Sequence, residues 1–194
     1  MDQDLTNCSI LWRRLDLPGY ESARLFSEAD HWSLRGTAVF SYEGLPCRLD
    51  YQVVCDSDWL TRSTRVEGWV GNNLVNAEIQ VSPEQTWLKN GVVCPQLKGC
   101  LDVDLNFSPS TNLLPIRRLN LAVGEEMEVT AAWLRFPNFE LEPLVQLYRR
   151  SGENSYRYES GGGAFVSQIS VNAAGLVTEY PNLWKAEAEK IGVN

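Results

Sequence analysis

The sequence has a single histidine, His31, and only four lysines against thirteen arginines. It has no Cys-x-x-Cys pair and no run of eighteen apolar residues. Each shortage removes a class of function. One histidine excludes zinc sites that need two, H-E-x-x-H among them, and leaves one candidate base for any histidine-assisted nucleophile. With no Ser or Cys at a recognisable elbow, His31 reads as a structural or solvated residue. Without a long apolar run, no membrane-spanning helix is expected. The N-terminal Met1-Asp2-Gln3-Asp4 has neither the basic nor the apolar region of an export signal, so a cytoplasmic location is expected. The charge balance is 17 basic to 25 acidic residues, a net of −8, which argues against nucleic acid or an anionic membrane surface as the main partner. The five cysteines, Cys8, Cys47, Cys55, Cys94 and Cys100, have irregular spacing and are expected as buried or half-buried thiols of a reducing compartment, with a four-cysteine metal site as the lesser alternative; no metal and no cofactor are expected.

Helical periodicity is nearly as scarce as histidine. What is present is alternation. Residues 48–56 place Leu49, Tyr51, Val53 and Cys55 on one face and Arg48, Asp50, Gln52 and Asp56 on the other. Residues 73–81, 128–136 and 164–171 alternate in the same way, and further strands are expected near 9–15, 20–27, 32–43, 59–70, 86–89, 100–107, 141–150, 155–160 and 175–180. Asn90-Gly91 has the composition of a type I′ hairpin turn. Residues 108–119 leave room for one or two helical turns capped by Ser110 or Thr111, although Pro115 disfavours helix at Leu114. The tail 182–191, with Leu183, Trp184, Ala188 and Ile191, is expected as a short amphipathic helix. At 194 residues without a linker or repeat, the chain is expected to be one domain, 1–194. The expected class is mainly β: a single curved, partly open antiparallel sheet, because a flat sheet of so many strands would expose apolar faces and edges.

Candidate chemistry is sparse. Asp102 and Asp104 stand at i and i+2 of one strand, on one face, a spacing that permits acid–base work, while pairing with Arg117 and Arg118 is the structural alternative. Gly161-Gly162-Gly163 follows a strand without opening a helix and fits neither a P-loop nor a dinucleotide fingerprint. The seven tryptophans serve either as core or as the lining of a cavity for an apolar or sugar-bearing ligand. Arginines lie on strands beside carboxylates and aromatics, where they either lock strands together or grip a ligand head group.

Several segments together resemble a known family. They include Trp12-Arg-Arg-Leu-Asp16, Glu21-Ser-Ala-Arg24, Arg48-Leu-Asp-Tyr51, Gly99-Cys-Leu-Asp-Val-Asp104, Leu114-Pro-Ile-Arg-Arg118, Ala132-Trp-Leu-Arg-Phe-Pro137 and Tyr156-Arg-Tyr-Glu-Ser160. The resemblance is to the bacterial proteins of unknown function described as putative glycolipid-binding, and it runs from about residue 10 to 185. It implies a fold similar to the periplasmic lipoprotein carriers: an open half-barrel with short helical pieces over its mouth and an apolar concavity for acyl chains. It brings no catalytic set. The expected function is binding of an amphipathic ligand, such as a glycolipid or acyl conjugate. Trp59, Trp69, Trp133, Tyr51 and Phe165 are its candidate floor. Arg24, Arg62, Arg117, Arg118, Asp102, Asp104, Tyr156, Tyr158 and Glu159 are its candidate polar contacts, within an arginine-rich rim. Two alternatives stay open: a hydrolase using Asp102, Asp104 or Glu159, and an interaction scaffold with an open sheet edge.

Overall fold

The computed structural model describes residues 7–28 and 30–192; Met1–Asp4, read above for export character, lies outside them. Alternating burial builds most of the chain into strands: β1 (Asn7–Arg14), β2 (Gly19–Glu28), β3 (His31–Tyr42), β4 (Leu45–Asp56), β5 (Thr61–Val70), β6 (Asn73–Val81), β7 (Trp87–Lys89) and β8 (Val92–Val93). After a short crossover come β9 (Asp102–Leu105), the helix α1 (Leu113–Leu119), β10 (Glu126–Leu134), β11 (Leu141–Gly152), β12 (Ser155–Ser160), β13 (Phe165–Val171), β14 (Val177–Tyr180) and β15 (Trp184–Ile191). β4 carries the expected pattern, with Leu49, Tyr51, Val53 and Cys55 buried. Asn90 and Gly91 both have positive φ and join β7 to β8 through the Lys89–Val92 pair, as the turn composition requires.

All fifteen strands form one sheet in the order β8-β7-β6-β5-β4-β3-β2-β1-β15-β14-β13-β12-β11-β10-β9. Every neighbouring pair is antiparallel except β9–β10, where Asp102 to Leu105 run parallel to Ala131 to Leu134. A parallel pair needs a crossover, and that crossover is where the helix sits. The sheet rolls. Phe40 of β3 and Phe136 just after β10 lie eight strand spacings apart, about 38 Å if flat, yet their ring centroids are 5.3 Å apart. The roll is bridged by isolated bonds rather than a ladder: Thr61 N donates to Leu101 O at 3.2 Å, Val103 N to Thr61 Oγ1 at 3.1 Å, and Lys89 Nζ to Phe139 O. The sheet is therefore curled but not closed.

Two local expectations are corrected. The tail is not a helix: β15 fills the gap between β1 and β14, pairing Arg14 with Trp184 and Cys8 with Ile191 around a bulge at Leu11/Trp12. Of its side chains only Trp184 is buried, so a helix there would gain little, whereas a strand satisfies two rows of backbone groups. The helix in turn runs through Pro115, which occupies its first turn, where a missing N–H costs nothing. Neither Ser110 nor Thr111 caps it; Thr111 Oγ1 accepts from Leu105 N, and Ser108 Oγ accepts from Ser110 N. Asn120, in the left-handed conformation, ends it.

Candidate ligand cavity

The curled sheet leaves a cavity of about 620 Å³ beside the β9–β10 crossover. Eight aromatic rings line it: Tyr42, Phe107, Trp133, Phe136, Tyr158, Phe165, Tyr180 and Trp184. Leu17, Leu144 and Leu183 add aliphatic surface, and Arg14, Asp16, Asp104, Asn106, Ser108 and Asn112 form a polar side. Its volume falls in the range of small-molecule sites, and a mostly apolar wall with a few polar groups is their usual construction. Tyr158, Phe165 and Tyr180 meet edge-on or tilted, each pair of centroids 6.1 Å apart.

Two polar arrangements flank this cavity. In the first, Tyr51 reaches across β3 to β2, where its hydroxyl donates to Glu21 Oε1 at 2.6 Å. Gly36 makes this crossing possible, because a Cβ there would lie 2.4 Å from the Tyr51 ring. Ser108 Oγ donates to the same oxygen at 2.5 Å and so fastens the crossover to the sheet. Burial raises Glu21 to about 7, with the two hydroxyls and the Arg14 charge opposing the rise. In the second, Asp104 accepts from Gln146 Nε2 at 2.6 Å, and burial raises it to about 6.

Of the residues singled out in the sequence, Asp104, Trp133, Tyr158 and Phe165 line this cavity. The others are placed elsewhere. Asp102 is sealed under α1, receiving Arg118 Nε at 3.1 Å and also Nη2, and burial still outweighs this pairing and leaves its pKa raised. Arg62 pairs with Asp56 at 2.5 Å, and Glu159 with Arg157 at 2.7 Å. Trp59 stacks on Trp32 at 4.7 Å, with Arg117 over its ring at 5.2 Å. Trp69 is on the outer surface under Arg48. Arg24 lies over Phe26 and donates to Asn7 Oδ1 at 2.9 Å. Arg117 and Tyr156 share a smaller polar cavity of about 310 Å³ with Arg150. The arginine-rich rim is not there: among the described residues nine arginines hold a carboxylate, and Arg14 is the arginine on the wall of the large cavity. Arg14 is itself held by Asp16, through Nε at 3.1 Å and Nη2 at 2.8 Å.

Sequence reasoning passed over Arg14, Tyr42, Phe107, Phe136, Tyr180 and Trp184. The alternation over 128–136 places Phe136 at the end of a strand, on the face opposite Trp133, but β10 ends at Leu134 and Phe136 lies in the loop beyond it; Trp184 belongs to the misread tail. Among the described residues no cluster of three His, Cys, Asp or Glu could hold a metal, the five cysteines are free thiols, and no helix is long and apolar enough to cross a membrane. His31 lies between Glu28 and Asp30, whose hydrogen bonds raise its pKa.

Residues 9–186 match the model of the family described as putative glycolipid-binding. The chain belongs to that family. It is also similar to the crystal structure of a DUF1089 family protein from Pseudomonas aeruginosa, with 32% identity over 86% of this chain and 91% of that one, and a TM-score of 0.75. No curated protein gives a significant match. The glycolipid-binding family match spans both walls of the cavity, from Arg14 to Trp184.

Proposed function

We propose that the protein binds an amphipathic ligand, a glycolipid or an acyl conjugate, in the cavity between the curled sheet and the β9–β10 crossover. The observation that carries this reading is one space of about 620 Å³ with an aromatic wall and a polar side. Burying a methylene is worth about 0.8 kcal/mol, so an acyl chain along Phe107, Phe136, Leu144 and Phe165 would supply most of the affinity, and the polar side would choose the head group. The family description points the same way. The proposed contacts are accordingly Asp104, Trp133, Tyr158 and Phe165 from the sequence set, joined by Arg14, Tyr180 and Trp184. We take residues 1–194 as one binding domain.

Native mass spectrometry of protein purified from its own host tests the reading. A bound species of lipid mass is expected, displaced by an added alkyl glycoside. Uniformly empty protein that also takes up no alkyl glycoside would overturn it. A hydrolytic reading keeps a single foothold, Asp104, since Asp102 and Glu159 are held by arginines; turnover of an alkyl glycoside, lost in Asp104→Asn, would favour it over binding alone.

A further inference from the structure

Among the described residues, Asp104 is the acidic group on the cavity wall that no cation holds. Asp16, the other, is held by Arg14 through two hydrogen bonds. Asp104 stands opposite Trp133 in the β9–β10 pair, and both line the cavity. Tyr158 of β12 and Tyr180 of β14 line the same cavity, and the Asp104 charge adds to burial in raising their pKa values and that of Tyr148 of β11. A carboxylate offers about four acceptor positions. Among the described residues one hydrogen bond, from Gln146, reaches it. Burial and that single donor are what set its acidity, with no ion pair opposing.

The charges on this wall decide which head group fits. Arg14 and Asp16 cancel, so an ionised Asp104 leaves the wall negative. A phosphate, sulfate or carboxylate would meet that net negative charge, and the cation on the wall, Arg14, is already balanced by Asp16, although its Nη1 has no hydrogen-bond partner among the described residues. Hydroxyl hydrogens, in contrast, fill the open acceptor positions of Asp104. Hydroxyl oxygens can also accept, which matches the neutral polar groups Asn106 and Ser160 on the same wall. An ammonium has donors and no acceptor, so it would satisfy the carboxylate but not the amide hydrogens of Asn106 on the same wall.

We infer that Asp104 anchors an uncharged, hydroxyl-bearing head group of the glycosyl or polyol class, and that the cavity thereby selects such ligands over anionic ones with the same alkyl chain. This rests on the cavity being the binding site. The ligand hydrogen bonds are made to the ionised carboxylate, so affinity falls as pH drops through about 6.

Isothermal titration with octyl glucoside, octanoate and octylammonium, each below micelle formation, tests the assignment on the full chain. At about pH 7.5 the glucoside is expected to bind at least tenfold more tightly than octanoate, roughly the value of a hydrogen bond to a charged group. Asp104→Asn keeps the size of the side chain and is expected to weaken the glucoside about tenfold, to leave octanoate unchanged or improved, and to abolish the fall in affinity between about pH 7.5 and about pH 5. Asp104→Leu removes every acceptor and is expected to bind the three probes alike. Tighter binding of octanoate or octylammonium than of the glucoside, or an unchanged preference in both variants, would overturn the inference while leaving the cavity reading intact. Binding of none of the three would overturn both.

Discussion

Asp102 and Asp104 lie two residues apart on β9, yet one is closed and the other open. Asp102 is 1% exposed and receives Arg118 through two hydrogen bonds. Asp104 keeps one amide donor and a place on the cavity wall. The strand alone gives them equal standing. What separates them is the crossover after β9, which lays α1 and its Arg118 over the first carboxylate and leaves the second beside aromatic rings. The lesson is that the covering element, and not the carboxylate spacing, divides structural charge from a candidate ligand contact.

The largest expected effect comes from breaking the closed member. Asp102→Ala leaves the Arg118 guanidinium, 14% exposed, without its counter-charge. A loss of about 3–5 kcal/mol is expected in urea unfolding, because a buried charge stripped of its partner keeps its full desolvation cost. Asp104→Asn is expected to lose no stability at about pH 7, since it replaces a carboxylate whose ionisation burial opposes, and to act on binding instead. Equal losses in the two variants would erase the distinction between them.

The next effect is a pH dependence shared by the open Asp104 and by Glu21. Both are raised on folding, Glu21 from 4.5 to about 7 and Asp104 from 3.8 to about 6. Between these limits the folded state holds protons that the unfolded state has released, so stability is greatest at the acid side of the window and declines as pH rises toward 7. For Glu21 the shift corresponds to about 3 kcal/mol. Thermal melts from about pH 5 to about pH 8 should show this decline, and Glu21→Gln should flatten most of it. A stability that climbs over the same interval would show that these carboxyls are not raised.

Gly36→Ala is expected to cost about 1–3 kcal/mol through overpacking against Tyr51, and to loosen the crossover that Ser108 fastens to Glu21. Faster amide exchange at residues 106–112, read beside the lost stability, checks that coupling. The smallest effect belongs to the surface. Glu159→Gln breaks a half-exposed pair with Arg157 and is expected to cost no more than about 1 kcal/mol, screened further by salt. That pair is one of nine arginine–carboxylate pairs among the described residues; four of them, Arg14–Asp16, Arg48–Asp50, Arg65–Glu67 and Arg157–Glu159, run along one segment, and three, Arg13–Glu187, Arg35–Glu28 and Arg62–Asp56, run between strands.

The strands were legible because burial on one face imposes period two wherever a sheet faces a core. Residues 48–56 and 73–81 read correctly side by side, as did the Asn90-Gly91 turn. The tail did not, because Trp184, Ala188 and Ile191 also suit a helix, and only the vacant edges of β1 and β14 favour a strand. The cavity was half legible. Asp104, Trp133, Tyr158 and Phe165 could be picked out as polar or aromatic residues on strands, but alternation could not separate Trp133 from Trp69, since which face is inside depends on how the whole sheet rolls. The Gly36–Tyr51–Glu21 crossing joins three strands through one missing Cβ, and no local pattern announces it.

The binding cavity itself is tested most directly by the indole N–H resonances of the seven tryptophans during titration with octyl glucoside. The signals of Trp133 and Trp184, on the cavity wall, are expected to shift together and saturably. Those of Trp69 on the outer surface and Trp59 stacked on Trp32 are expected to stay in place. Shifts centred on Trp69 or Trp59, or no shift at Trp133 and Trp184 at saturating glucoside, would contradict the account.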